Sequence, residues 1–333
     1  FHDGSDFNAD AVKFNFDRML DEAHPYHNTG PFPLSFFFSA IVSVDVLDSM
    51  TVKFTLNAPY APFLSNLAYP TGLIVSPDAV AKHGTDFGRN PSGTGAFKFG
   101  EWRSNEAVVV EANSSHWEGA PKLQAVVFRP ITDANTRTAE MLAGGIDMMV
   151  EVPPVALSKF QGDGYTVHEQ AGPHVWFLIL NAKEGPFSDV RVRQAANYAI
   201  NKEAIVNDVL EGTAAVAAGP TPPAFAWAYN NSLEPYPYNP EKARQLISEA
   251  GADGAELTFF VTEGGSGMLD PVAMGTAIQA DLQAVGLKVN IETYEWNTFL
   301  GEVNPGLEGK ADMAEMAWMT NDPDTLPFLA LRT

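Results

Sequence analysis

The apolar positions change period several times along the chain, and each change marks an element. After Asn8, Val12, Phe16 and Met19 recur at helical spacing and predict a helix over 9–21, with Asn8 placed to cap it. Residues 41–47 and 51–56 alternate apolar with polar and meet at Asp48-Ser49, the pattern of a hairpin. A second hairpin fits 97–102 and 108–111, after the loop Asn90-Pro91-Ser92-Gly93-Thr94-Gly95. A strand over 125–128 leads to a helix over 133–142, stopped by Gly144-Gly145. The stretches 146–150, 165–169 and 175–181 read as strands, followed by helices over 190–199 and 202–210.

The pattern then breaks. Gly219-Pro220-Thr221-Pro222-Pro223 cannot be helix and makes a poor central strand. Beyond it comes a regular alternation: helix 240–250 ending at Gly251, strand 257–261, helix 271–285, strand 288–292, short helix 296–302, strand 313–318. Strands separated by helices of this length imply a largely parallel α/β sheet. The expected organisation is a peripheral subdomain over 1–105, the core of the same lobe over 106–218, and a second lobe over 219–333, with the boundary at the Pro-rich break. No internal repeat or low-complexity tract interrupts this.

Charge and composition narrow the function. The 333 residues carry a formal net charge of −21, with no run of Lys or Arg, so nucleic acid and anionic membrane surfaces are excluded as partners. There is no cysteine, hence no disulfide, thiolate nucleophile or Cys-ligated zinc. No apolar stretch reaches the about 18 residues a membrane-spanning helix needs. The chain opens on Phe1-His2-Asp3-Gly4, without an initiator Met or signal peptide, and stops at Arg332-Thr333. It therefore reads as a fragment, truncated at both ends.

Catalytic signatures are incomplete. The seven histidines are scattered and no His-Glu-x-x-His occurs, so no metal site is expected. Gly265-Ser266-Gly267 lacks the flanking glycines of a nucleophile elbow. Gly309-Lys310 ends like a phosphate loop, but Asn304 stands at the earlier glycine position. Gly93-Thr94-Gly95 lacks the third glycine of a dinucleotide fingerprint. No cofactor is implied. Asp322 and Asp324 leave a carboxylate-dependent hydrolase as one reading, since sequence spacing does not fix the separation such chemistry needs.

A binding reading uses more of the chain. In open α/β sheets ligands bind beyond the carboxyl ends of the strands. The strand over 313–318 delivers Trp318-Met319-Thr320-Asn321-Asp322 to such an end. Trp318 offers a stacking face; Thr320, Asn321 and Asp322 offer polar atoms, the last two as acceptors for a cationic amine. The same residues also fit a packed Trp followed by an Asp322-Pro323-Asp324 turn.

Several segments resemble one family. They are Phe1-His2-Asp3-Gly4 with Phe7-Asn8-Ala9-Asp10-Ala11-Val12-Lys13-Phe14; Asn90-Pro91-Ser92-Gly93-Thr94-Gly95-Ala96-Phe97, with Ala96 where Pro is usual; and Trp117 through Pro121-Lys122-Leu123 to Phe128-Arg129-Pro130-Ile131 and Asp133-Ala134-Asn135-Thr136-Arg137. Asp189-Val190-Arg191-Val192-Arg193-Gln194-Ala195, Ala199-Ile200-Asn201-Lys202 and Tyr238-Asn239-Pro240-Glu241-Lys242-Ala243 continue the match. The chain resembles the peptide and nickel class, family 5, of extracytoplasmic solute-binding proteins of ABC-type importers, which includes dipeptide, oligopeptide and glutathione receptors. The resemblance implies a two-lobed, hinged periplasmic-binding-protein fold with a small extra subdomain on lobe one. It implies a periplasmic monomer that encloses a peptide or peptide-like solute and delivers it to permease subunits, breaking no bond.

In peptide binders of this class an Asp shortly after the Trp of the last strand holds the peptide's α-amine. Here that place falls on Asn321, with Asp322 next. Dipeptide receptors carry an Arg in the loop after the second lobe's first strand; Thr262-Glu263-Gly264-Gly265-Ser266-Gly267-Met268 has none. A longer, glutathione-like or modified peptide fits this better than a simple dipeptide. The scattered histidines disfavour nickel. A receptor for a metal chelate, opine or oligosaccharide is the alternative. Trp176 and Phe177 are expected to approach the ligand from the lobe-one side, and Trp296 to contribute a further aromatic face.

Overall fold

In the computed structural model of the protein, which describes residues 1–162 and 164–327, the chain divides into two compact units, Phe1–Thr132 and Asp133–Thr333. In the first unit, α1 (Ala9–Leu20) starts where the Asn8 side chain accepts the Ala11 N–H at 2.9 Å. Its buried face presents Phe16, whose ring meets those of Phe38 and Phe54 edge-on at 5.1 and 5.0 Å. Phe54 belongs to the antiparallel hairpin β1 (Ile41–Asp48) and β2 (Thr51–Leu56). Two short helices follow, α2 (Phe63–Leu67) and α3 (Pro77–His83), the latter capped by Ser76. A three-stranded antiparallel sheet then forms from β3 (Phe97–Arg103), β4 (Ala107–Ala112) and β5 (Ala125–Phe128), in that order.

Arg18 is buried on α1 with no carboxylate partner among the described residues. Its guanidinium lies 5.1 Å from the Phe32 ring centre and 5.7 Å from that of Phe87, and donates to Thr29 Oγ1 at 3.1 Å. Burial lowers its pKa. The aromatic faces stand in for a counter-ion.

The second unit opens with α4 (Ala134–Leu142), capped by Asp133. There follow β6 (His174–Leu180), α5 (Val190–Ala199), the short α6 (Lys202–Ala204), α7 (Pro240–Glu249), β7 (Glu256–Thr262), α8 (Pro271–Ala284), β8 (Lys288–Tyr294), α9 (Trp296–Val303) and β9 (Met313–Met319). The strands form one sheet in the order β6-β9-β7-β8. Here β7 is parallel to β8 and β9, and β6 runs antiparallel to β9. Alternation along each strand supplies two cores. Leu257, Phe259, Val261 and Met313 point into the core built with α5, α7 and α8. Phe260, Ala314 and Met316 point into a smaller core closed by Phe299 and Val303 of α9. The parallel register and the helical crossovers agree with the alternation read from the sequence.

Three expectations fail. The Pro-rich break at Gly219–Pro223 separates no sheets, because β6 shares its sheet with β7, β8 and β9. The chain between α6 and α7 leaves the α5 layer and returns to it: Asn239 N–H donates to Tyr198 O at 2.8 Å, and the Tyr198 and Tyr236 rings meet at 5.1 Å. Proline ends regular structure without saying where the chain goes next. The stretches 146–150 and 165–169 form no ladder with any described strand, and Met148 and Val150 are exposed. An apolar run does not reveal whether a partner strand lies within reach. Finally, the helix expected over 202–210 keeps α geometry only over α6 and then widens over Ile205–Val209, where Leu210 N–H reaches Ile205 O.

Candidate functional site

The carboxyl ends of β7, β8 and β9 lie on one edge of the sheet, and antiparallel β6 brings its amino end to the same edge. That edge is where an open α/β sheet accepts ligands. Four short segments build it: the approach to β6, the β7–α8 loop, the turn into α9, and the residues after β9.

The β7–α8 loop is tightly constrained. Gly265, Ser266 and Gly267 have φ of 109°, 50° and 74°, the left-handed region that glycine tolerates and Ser266 does not favour. Met268 N–H closes the turn onto Gly265 O, and Ser266 Oγ donates to Ala317 O of β9 at 2.7 Å. A Cβ on Gly265 would stand 2.3 Å from the Trp296 ring, and one on Gly267 would stand 2.9 Å from His174 Nε2. The loop is thus pinned between two rings, with a hydroxyl tether to the central strand.

Trp296 opens α9, whose first N–H groups are capped by the Glu295 carboxylate, and stacks on Phe299 at 5.9 Å. Trp318 is half-buried, opposite Val175 in the β6–β9 ladder, and its indole N–H is buried without an acceptor. A buried donor left unpaired costs on the order of 1–3 kcal/mol. Thr320 is buried, with its N–H and hydroxyl both on Pro173 O at 2.9 and 2.8 Å. It is a joint between the two chain segments. Asn321 Oδ1 accepts from Thr325 Oγ1 at 2.8 Å, and Asp322 Oδ1 accepts the Asp324 N–H at 3.0 Å, so both also shape the turn after β9.

The structure therefore gathers Trp318, Thr320, Asn321, Asp322 and Trp296 at one edge. Trp176 and Phe177 do not come from another lobe, because their strand is hydrogen-bonded to β9 throughout. They flank the sheet on opposite faces, Trp176 against the core of α5, α7 and α8, and Phe177 against that of α9. Sequence reasoning missed His174 and the glycine pair that seats it and Trp296. Three glycines within 264–267, right after a predicted strand, were the available signal.

Glu315 was missed as well. It is 3% exposed, and neither carboxyl oxygen has a hydrogen-bond partner. Burial pushes its carboxyl up to about 9; the Thr262 backbone dipole opposes this without completing a hydrogen bond, and the Asp270 charge reinforces it.

The sequence pattern described as "Bacterial extracellular solute-binding proteins, family 5 Middle" matches residues 1–332. The chain belongs to this family. Among curated relatives, a heme-binding protein A from Haemophilus influenzae is 35% identical over 341 residues, covering 98% of this chain and 61% of that protein. A glutathione-binding protein from Pectobacterium atrosepticum is 34% identical, covering 93% and 58%. Among solved structures, the periplasmic binding protein DppA from Helicobacter pylori in complex with the peptide STSA superimposes with a TM-score of 0.87, at 32% identity over 98% of this chain and 64% of that one. The fold is accordingly that of the periplasmic binding proteins, and this family 5 chain spans about three-fifths of the length of the curated relatives it matches. No helix among the described residues is long and apolar enough to cross a membrane.

Proposed function

We propose that this family 5 chain captures a peptide or peptide-like solute outside the cytoplasm and hands it, chemically unchanged, to the permease subunits of an ABC-type importer. The observation that carries this reading is the strand-end edge of the second unit. There an unsatisfied indole N–H, a second indole and a row of polar residues converge where ligands dock on open α/β sheets. Relatives named for glutathione and for di- and tripeptides support a peptide-like ligand.

Charge supports an amine-bearing end. Residues 262–270 and 319–327 contain Glu263, Asp270, Asp322 and Asp324 and no Lys or Arg. A ligand ammonium is welcome at such an edge, and a free carboxylate is not. Asp322 is the expected amine acceptor, through a charge-assisted hydrogen bond of about 1.5–3 kcal/mol. Native mass spectrometry of the intact protein as purified should reveal a retained solute. Calorimetry with that solute should then show saturable binding, with no product by mass spectrometry. Asp322→Asn should weaken binding about ten-fold while folding is kept. An unchanged Kd would move the amine contact to Asn321, and turnover of the solute would sink the receptor reading.

A further inference from the structure

Glu315 has no part in the ligand reading, and neither of its buried oxygens completes a hydrogen bond. It lies on the face of β9 that α8 covers, opposite Leu178 of β6. The core on that face holds Trp176 and Leu178 of β6, Phe259 and Val261 of β7, and Met274 and Ile278 of α8, all apolar, and the polar group turned towards Glu315 is the Thr262 backbone. Gly275 of α8 faces Val261 and the Glu315 carboxyl. A Cβ there would stand 2.8 Å from Val261 and 3.6 Å from Glu315 Oε2, so the helix seats directly over the carboxyl. The α5 and α7 residues of the same core, among them Ala195, Ala196, Leu246 and Ile247, are also apolar. Among the described residues the one charged group bearing on Glu315 is Asp270, of the same sign, which caps α8 through Ala273 N–H at 3.2 Å.

We propose that Glu315 is a proton-controlled latch beneath the β7–α8 connection: neutral, it lets α8 seat on β7; ionised, it forces the first turns of α8 and residues 262–270 away from the sheet. The reason is local. A carboxylate there would have no counter-ion, with only the Thr262 backbone dipole turned towards it, and burying such a charge is far costlier than moving a loop. The movable parts are adjacent. Of residues 265–267, all at positive φ, Ser266 alone is a non-glycine held in a left-handed conformation, a cost that opening would release. The inference rests on packing alone, independent of which solute the edge accepts.

The direction of the pH effect follows from linkage. In the unfolded chain the carboxyl titrates near the ordinary 4.5, and in the folded chain near 9. The folded state therefore holds a proton that the unfolded state has released. The contribution of Glu315 to stability is full below about pH 4.5 and is lost as pH rises to about 9.

The test is hydrogen exchange of the intact protein at several pH values between 6 and 9.5, corrected for intrinsic rates. Protection of amides 262–275 should fall about ten-fold or more, ahead of the β7–β8 ladder, and Glu315→Gln should abolish that fall. Thermal midpoints of the two proteins should agree at pH 5 and diverge at pH 9, with the variant higher. Loss of protection spread evenly over the second unit, no loss, or the same loss in Glu315→Gln would overturn the latch. The wild-type titration alone decides the matter if the variant folds poorly.

Discussion

The two larger sheets of this molecule draw on the same residues and treat them differently. In β3-β4-β5, Val127 and Phe128 are 52% and 59% exposed, and Trp102 is half exposed beneath the Arg89 guanidinium, 4.5 Å from its ring centre. In β6-β9-β7-β8, Leu257, Phe259 and Val261 are wholly buried. The difference lies in the connections. Parallel strands require crossovers, crossovers supply helices, and helices cover faces. The antiparallel strands β3 and β4 meet through a tight turn that brings no helix with it. A valine or phenylalanine in a strand thus contributes according to what the connecting segments place above it.

The sharpest way to break this contrast is to truncate one aromatic in each sheet. Phe259→Ala in β7 should cost about 3–5 kcal/mol in urea unfolding, since the surrounding core cannot collapse into the space. Phe128→Ala in β5 should stay within about 0.5 kcal/mol. Equal losses would mean that coverage does not set the difference. A smaller effect is expected at the strand ends of the covered sheet. Gly265→Ala adds a Cβ at a left-handed position against the Trp296 ring and should cost on the order of 1–3 kcal/mol, with a shift in tryptophan emission. Smaller still is the exposed pair at the opposite edge. Lys288→Met removes a 3.1 Å ion pair to Glu256 and should change stability by less than about 1 kcal/mol, the change shrinking further in salt.

Legibility in the sequence follows the same division. Elements whose own residues determine their ends were readable: Asn8 before α1, Asp133 before α4, Pro240 and Gly251 around α7, and the β7-α8-β8 alternation. Readings that depended on a distant partner were not. Nothing in His174–Leu180 says that it pairs with Met313–Met319, so Trp176 and Phe177 were assigned to the wrong lobe. Nothing in 146–150 says that it lacks a partner. At the candidate edge, the position of Trp318 near the end of a strand and of Asp322 just beyond it was legible from the alternation before them. Thr320 was legible as polar, but not as a joint to Pro173. Glu315 was illegible because an acid inside an apolar run looks like an outward-facing position until the covering helix is known.

The place of β9 in the sheet has a consequence for synthesis. Among the described strands of this sheet it is the last to be made, yet it lies between β6 and β7, two strands that precede it. From the end of β6 at Leu180 to the start of β9 at Met313 the ribosome adds about 130 residues, roughly 7–27 s at about 5–20 residues per second. Throughout that interval β6 has no neighbour in this sheet, and β7, once made, keeps the side that β9 will take open. The sheet therefore cannot close on a nascent chain still shorter than β9, and the described strands of the second unit stay open and threadable between β6 and β7 until β9 is made.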